Sequence, residues 1–434
     1  MNNKVIINPD PFFLLNSLRS VGYSLAHAVA DIIDNSISAH ASKINIQFEY
    51  DKAIRIYFLD NGHGMNSEEL LEAMNISSKD CEKERSSTDL GRFGIGLKIA
   101  SFSQCKHLTV VSKKEKENIS SYRWDLDLLK KQNQDGFFIL SGYENEDKYL
   151  IDLLDSYNSG TLVIWNKIDR LEDDTLTPDK YTSIIDDVIC NLRLTFHRFL
   201  EQGISISVNN EELKPWSPFF QSPNTYEFPF EELDDSVSVK CYILPSRRKI
   251  SDEVALENQG IEGWEMQQGF YLYRNDRLIV PGSWLNLSYN GKRLVKKVEY
   301  QLVRIELNIR NNVDFEWNID VKKAAAKVPN KYRSRLGLIA YQARKKGKEI
   351  YNGVNSSRKI RINLKRENLW EYKNCEYSIN RNFPLVTDLM HNLCPTDKKL
   401  FNEIIKLIED KLPVRMISTN TLEEDEEEED EEDI

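Results

Sequence analysis

The run Ala53-Ile-Arg-Ile-Tyr-Phe-Leu59 leads straight into Asp60-Asn-Gly-His-Gly-Met65, and the junction between them decides how the chain is read. The first run is strand-like. It follows a second strand-like run, Lys43 to Tyr50, across the short polar link Asp51-Lys52. In the hexapeptide, aspartate and glycine fit plain turn chemistry. They also fit another use. A carboxylate at a strand end, followed by glycines that let a planar base approach the backbone, accepts a hydrogen bond from an exocyclic amine. That arrangement favours adenine.

Upstream, Ser24 to Ala39 reads as a helix. Leu25, Val29, Ile32, Ile33 and Ile37 recur at three- and four-residue steps as one apolar stripe, with Ser24 as N-cap. Asp31 and Asn35 are four apart and project together, with Asp34 close to that edge. These polar groups are either ordinary residues on an exposed edge or ligands in search of a partner. Downstream, Ser77 to Thr88 is polar and without period, a loop. It leads to Gly91-Arg-Phe-Gly94-Ile-Gly96-Leu-Lys98 and an apolar stretch that begins a helix. Glycines ahead of a helix expose unpaired N–H groups beside the positive end of the dipole, where phosphate oxygens are stabilised, and Lys98 adds a cation. The spacing is neither the Walker pattern nor the dinucleotide one. The three segments together describe a pocket for a purine nucleotide, its magnesium ion and its phosphates.

Their order resembles the GHKL superfamily of ATPases, which spans gyrase B, MutL, the ninety-kilodalton heat-shock chaperones, histidine kinases and MORC proteins. The family pattern is a helix with Glu-x-x-x-Asn, a strand ending in Asp-x-Gly-x-Gly-Met, a lid ending in Gly-x-x-Gly-x-Gly, and a late strand carrying Gly-Thr. This chain supplies all four, the last as Ser159-Gly160-Thr161-Leu-Val-Ile-Trp165. The resemblance implies that Asn35 ligates magnesium and that Asp60 anchors adenine. Gly62, Gly64 and Met65 then shape the base pocket, Thr161 supports adenine through a water, and Gly91, Gly94, Gly96 and Lys98 hold the phosphates of ATP. The general base falls on Asp31, where the family's usual residue is glutamate. Aspartate is one methylene shorter, so slow hydrolysis is expected.

Tyr181 to Leu200 reads as a helix closing this module. Beyond it, residues 204 to 330 mix strands (Ile204–Val208, Ser236–Leu244, Gly269–Leu272, Val303–Leu307) with basic links. Tyr273-Arg-Asn-Asp-Arg277-Leu-Ile279 resembles an element of the second domain of MutL and MORC ATPases, which in the family donates a lysine to the terminal phosphate. Lys322 and Lys323 are the candidates and the match does not separate them; the other reading is two surface lysines on a helix. Arg274 and Arg277 read as structural or surface residues. The expected fold is α+β: an N-terminal Bergerat α/β sandwich with a mixed sheet over 1–202, a β-α-β transducer domain over 203–330, a small mixed basic region over 331–422 and a disordered acidic tail over 423–434.

Across 434 residues the formal charge is −11, yet residues 423 to 433 are all Asp or Glu, and without them 58 acidic face 58 basic residues. Such a block repels itself and buries nothing. It reads as a solubilising tail or as an intramolecular competitor for a basic surface. The stretch Tyr332 to Tyr351, with Arg358-Lys-Ile-Arg361 and Lys365-Arg366, is either a solvated helix or a phosphate-backbone surface for DNA. Six cysteines without CxxC spacing argue against a zinc site or a disulfide framework and suit a reducing cytoplasm. No apolar run approaches the roughly 20 residues that span a bilayer, and no signal-peptide core is present, so no membrane is expected. From the resemblance follow an ATP-dependent homodimer, in which the apolar arm Met1 to Leu18 exchanges between copies or packs on its own domain, and clamp closure on DNA. Any cutting or unwinding falls to a partner nuclease or helicase. A histidine kinase would need a phosphoacceptor helix ahead of residue 24, and a heat-shock chaperone a longer middle region.

Overall fold

The computed structural model describes residues 10–410 except 21, 51–52, 77–95, 133–135, 172–175, 261, 320–325, 357–369, 374–375, 384–385, 388, 391–392 and 394. Gly91 and Gly94, Lys322 and Lys323, the start of the apolar arm and the acidic tail lie outside the described residues. The chain divides into two compact units, Met1–Ser357 and Arg358–Ile434.

The first unit opens with α1 (Pro11–Arg19), α2 (Leu25–Ser38), β1 (Lys43–Tyr50), β2 (Ile54–Asp60), α3 (Ser67–Met74) and α4 (Gly96–Gln104). There follow β3 (His107–Lys113), β4 (Ser120–Asp125), α5 (Leu126–Lys131), β5 (Leu140–Ser141), α6 (Lys148–Asp155), β6 (Gly160–Asn166), α7 (Pro178–Thr195), α8 (His197–Glu201), β7 (Ser205–Val208) and β8 (Glu211–Glu212). The eight strands form one sheet in the order β5-β4-β3-β6-β2-β1-β7-β8, mixed because β1 and β7 run parallel while the other neighbours are antiparallel. Side-chain alternation sorts its two faces. Ile44, Ile46, Ile56, Phe58, Val163 and Trp165 join the core under α2, α4 and α7, whereas Val111, Leu162 and Ile164 pack against Leu150 and Leu154 of α6. The central strand β6 is therefore apolar on both faces, as a strand covered on both sides must be. The expected α/β sandwich is present.

Helix α2 sits where its periodicity placed it. Ser24 caps it, its Oγ accepting from the His27 N–H at 3.3 Å, and Val29, Ile32 and Ile33 are buried. The helix expected over Tyr181–Leu200 is two helices. Phe196 leaves helical geometry at φ −109° and ψ 13° and its ring goes into the first core, so α7 stops at Thr195 and α8 resumes at His197.

The unit continues with β9 (Tyr226–Glu227), β10 (Glu231–Asp234), β11 (Val237–Ile243), α9 (Asp252–Glu257), α10 (Gly263–Met266), β12 (Gly269–Arg274), β13 (Arg277–Ser283), the small pair β14 (Ser288–Tyr289) and β15 (Lys292–Arg293), β16 (Val303–Ile309) and α11 (Asn330–Ser356). A second mixed sheet runs β10-β11-β16-β12-β13, with β9 beside β11 and β12 parallel to β16. Val303, Ile305 and Leu307 of β16 share a core with Leu336, Ala340 and Ala343 of α11. On its other face Glu306 and Asn308 meet Arg198 of α8. Arg198 donates to Glu306 at 2.6 Å, Asn308 at 2.7 Å and Asp276 at 3.0 Å, and its guanidinium lies 3.6 Å from the Tyr273 ring centroid.

Beside it His197 is buried. Its Nδ1 bonds the Leu194 carbonyl at 2.8 Å, and Nε2 accepts from the Tyr273 hydroxyl at 3.4 Å. Burial holds the imidazole neutral and pushes its pKa down to about 4. An unfolded histidine titrates near 6.5, so below that pH the unfolded chain takes up a proton that the folded chain refuses. This contribution is intact above pH 6.5 and is lost as pH falls toward 4. Between pH 7 and 5 the loss is about 2 kcal/mol. Urea melts of wild type and His197→Gln at both pH values test it: the variant should lose less stability on acidification, and equal losses would refute the assignment.

In the second unit Trp370–Lys373 and Glu376–Ile379 form a hairpin, and the helix Pro395–Asp410 packs Ile405 with Phe383 and Val386.

Candidate functional site

The site grows from the register of three strands. Asp60 of β2 stands opposite Thr161 of β6, and Thr161 stands opposite Ser112 of β3, so three polar side chains line up at one end of the sheet. Asp60 Oδ1 accepts from the N–H of Gly62 at 2.9 Å and from the N–H of Thr161 at 3.2 Å, while Oδ2 accepts from the Ser36 hydroxyl at 2.8 Å. Burial pushes the Asp60 carboxyl above the usual carboxylate range; the donors on Gly62, Ser36 and Thr161 pull the other way. A carboxylate held this firmly is a fixed acceptor for one more donor, such as a ring amine.

Ser112 is the second node. Its Oγ accepts from the Met65 N–H at 2.9 Å and lies 2.9 Å from Thr161 Oγ1 and 3.1 Å from the Gly160 carbonyl. Between these nodes Gly64 has φ +66°, and a Cβ there would fall 1.9 Å from the Lys113 carbonyl, so only glycine fits. Met65 is half-buried and packs on the first core. The turn is tied to the end of α2 as well, the His63 N–H donating to the Ala39 carbonyl at 3.0 Å.

Helix α2 thus forms one wall. Asn35 is exposed, and the next residue, Ser36, is the one that reaches Asp60. Asp31 is buried one turn earlier, its Oδ2 accepting from the Tyr23 hydroxyl at 2.9 Å. Asp34 carries its carboxylate elsewhere, to Arg277 of β13 at 3.3 Å. Gly96 opens α4, and among the described residues a Cβ on it would meet nothing within 4 Å, so packing does not demand glycine there. Lys98 lies in the first turn, buried, donating to the Ala73 carbonyl at 2.9 Å. Asp60, Gly62, Gly64, Met65 and Thr161 meet at the β2–β6–β3 strand ends beside the end of α2 that carries Asn35, while Asp31 lies one turn earlier on α2, bonded to Tyr23. Gly91, Gly94, Lys322 and Lys323 fall outside the described residues.

Three residues at this junction escaped the sequence reading. Ser36 left a signal, a hydroxyl on the apolar stripe between Ile33 and Ile37. Ser112 left none, because only the register places it beside Thr161. Tyr23 precedes the helix cap and reads as ordinary core.

Residues 23–161 match the family model described as histidine kinase-, DNA gyrase B-, and HSP90-like ATPase. Those bounds run from Tyr23 to Thr161 and take in both nodes and α2. Residues 23–161 are thus similar to the GHKL ATPases. Over 92 residues the chain is also 34% identical to ATPase MORC2B of Mus musculus and 32% identical to ATPase MORC2 of Homo sapiens. That similarity covers 20% of this chain and 9% of either relative. Among the described residues no helix is long and apolar enough to cross a membrane.

Proposed function

We propose that the GHKL domain binds ATP with magnesium and hydrolyses it slowly, the exocyclic amine of adenine on Asp60 and Asp31 acting as general base. The observation that carries this reading is the Asp60 carboxylate, buried and fixed by Gly62, Thr161 and Ser36 next to the helix that bears Asn35 and Asp31. Thr161 supports the base through a water, and Gly62, Gly64 and Met65 wall the pocket. In this reading Gly91, Gly94 and Gly96 would hold the phosphates together with Lys98, whose amine is buried on the Ala73 carbonyl in this structure. Exposed Asn35 offers one amide oxygen, which suits an ion that keeps most of its shell as water and phosphate oxygens. When bound, magnesium neutralises phosphate charge.

Around this pocket the reading extends to the whole chain: an ATPase domain over 1–202, a transducer over 203–330 with Lys322 or Lys323 on the terminal phosphate, a basic region over 331–422 and an acidic tail over 423–434. ATP binding then drives homodimerisation and clamp closure on DNA in the cytoplasm, with a nuclease or helicase as partner. Similarity to MORC ATPases and the basic stretches after residue 330 support this wider role.

The test is phosphate release at saturating magnesium and ATP by wild type and Asp31→Ala. The variant should be about 100-fold slower, the lower range for removal of a general base. Equal rates at background level would leave a protein that binds ATP as a switch and does not hydrolyse it.

A further inference from the structure

Asp31 is 3% exposed and shorter by one methylene than the glutamate it replaces, so its reach is fixed by whatever holds its carboxylate. Among the described residues, Tyr23 holds one of its oxygens. Its hydroxyl donates to Asp31 Oδ2 at 2.9 Å from a ring that is itself buried in the first core. The position of that ring is set on both sides. Gln104 at the end of α4 donates from Nε2 to the Tyr23 carbonyl at 3.4 Å, and Ser24, the next residue, caps α2. Tyr23 therefore ties the acid-bearing helix to α4, the helix that opens at Gly96.

We propose that Tyr23 is the positioning residue for Asp31, fixing one carboxylate oxygen so that the carboxylate meets the attacking water in a single orientation. The inference rests on Asp31 being the general base. In that step the water oxygen bonds to the terminal phosphorus, its proton passes to Asp31, and the bond from phosphorus to the bridging oxygen breaks, ADP leaving with the electron pair. Tyr23 keeps its own proton throughout. A phenol suits the task because its hydroxyl donates a single hydrogen bond to the carboxylate. Two rotatable bonds and a packed ring leave that donor little freedom, which is what a short carboxylate needs to be aimed reproducibly.

The experiment is steady-state phosphate release by the full chain carrying Tyr23→Phe, alone and in an Asp31→Asn background. Tyr23→Phe should lower kcat about tenfold, the weight of one hydrogen bond to a charged group, with KM for ATP within twofold. In the Asp31→Asn background it should lower kcat no further. An unchanged kcat, an effect on KM alone, or the same tenfold loss in both backgrounds would overturn the assignment, the last because a merely structural tyrosine acts regardless of Asp31. Should Asp31→Asn by itself leave turnover intact, the general-base reading fails and Tyr23 falls with it. If Asp31→Asn abolishes turnover and Tyr23→Phe leaves it unchanged, the base reading stands and the Tyr23 assignment falls. Tyr23→Met also lacks the hydroxyl and fills the core differently, and gives the same readout if the phenylalanine variant does not fold.

Discussion

Replacing Asp60 with asparagine is expected to weaken ATP binding about a thousandfold while the domain remains folded. The two outcomes separate because the carboxylate serves two sets of partners. Inside the protein, an asparagine oxygen in the place of Oδ1 still accepts from the N–H groups of Gly62 and Thr161, and the amide nitrogen in the place of Oδ2 finds Ser36 Oγ able to accept. Toward a ligand amine, however, the acceptor has become a donor. The lost bond to a charged group is worth about 1.5–3 kcal/mol, and two donors facing each other without an acceptor add about 1–3 kcal/mol. Their sum, about 4 kcal/mol, is a factor of roughly 1,000 in Kd. Titration calorimetry with ATP and with inosine triphosphate checks both halves. The inosine ring carries a carbonyl where adenine carries its amine, so the variant should lose its preference for ATP over the inosine nucleotide. Retained affinity for ATP within threefold would remove Asp60 from base recognition.

How far the sequence foretold this site depends on whether a contact is local. Helix α2 and the strands β1 and β2 follow from periodicity over a dozen residues, and their observed bounds lie within two residues of expectation. The Asp60 turn and the Gly160-Thr161 strand were both visible, and the family pattern linked them. What periodicity cannot express is register. Ser112 reaches Thr161 because β3 and β6 pair with no offset at that row, a fact spread over fourteen residues on two strands. The break at Phe196 was hidden for a related reason: its ring gains more in the first core than the helix gains from one more turn, a tertiary preference that overrides a local one. Arg277 was legible as a structural or surface residue and its partner was not, since Asp34 lies 243 positions away along the chain.

That pair makes the second prediction. Arg277→Met is expected to destabilise the first unit by about 3–5 kcal/mol, and Asp34→Leu by a similar amount, because each removes one partner of a buried charge pair. Their side chains are 3% and 1% exposed. The geometry is good without being ideal: Arg277 Nε meets Asp34 Oδ1 at 3.3 Å, Nη1 donates to the Leu278 carbonyl, the guanidinium lies 5.3 Å from the Phe196 centroid, and among the described residues Nη2 has no acceptor. Two ions taken out of water at this cost gain little over apolar side chains of like volume. The double variant Asp34→Leu with Arg277→Met should therefore be more stable than either single one, a coupling of several kcal/mol in urea melts. Additive losses would mean that the two charges do not sense each other. Since Asp34 precedes Asn35 on α2, the double variant also separates stability from function. If the pair serves only to hold α2 against β13, ATP affinity returns with stability. If affinity stays low in a restored fold, the charge pair itself sets how α2 presents Asn35 to the nucleotide.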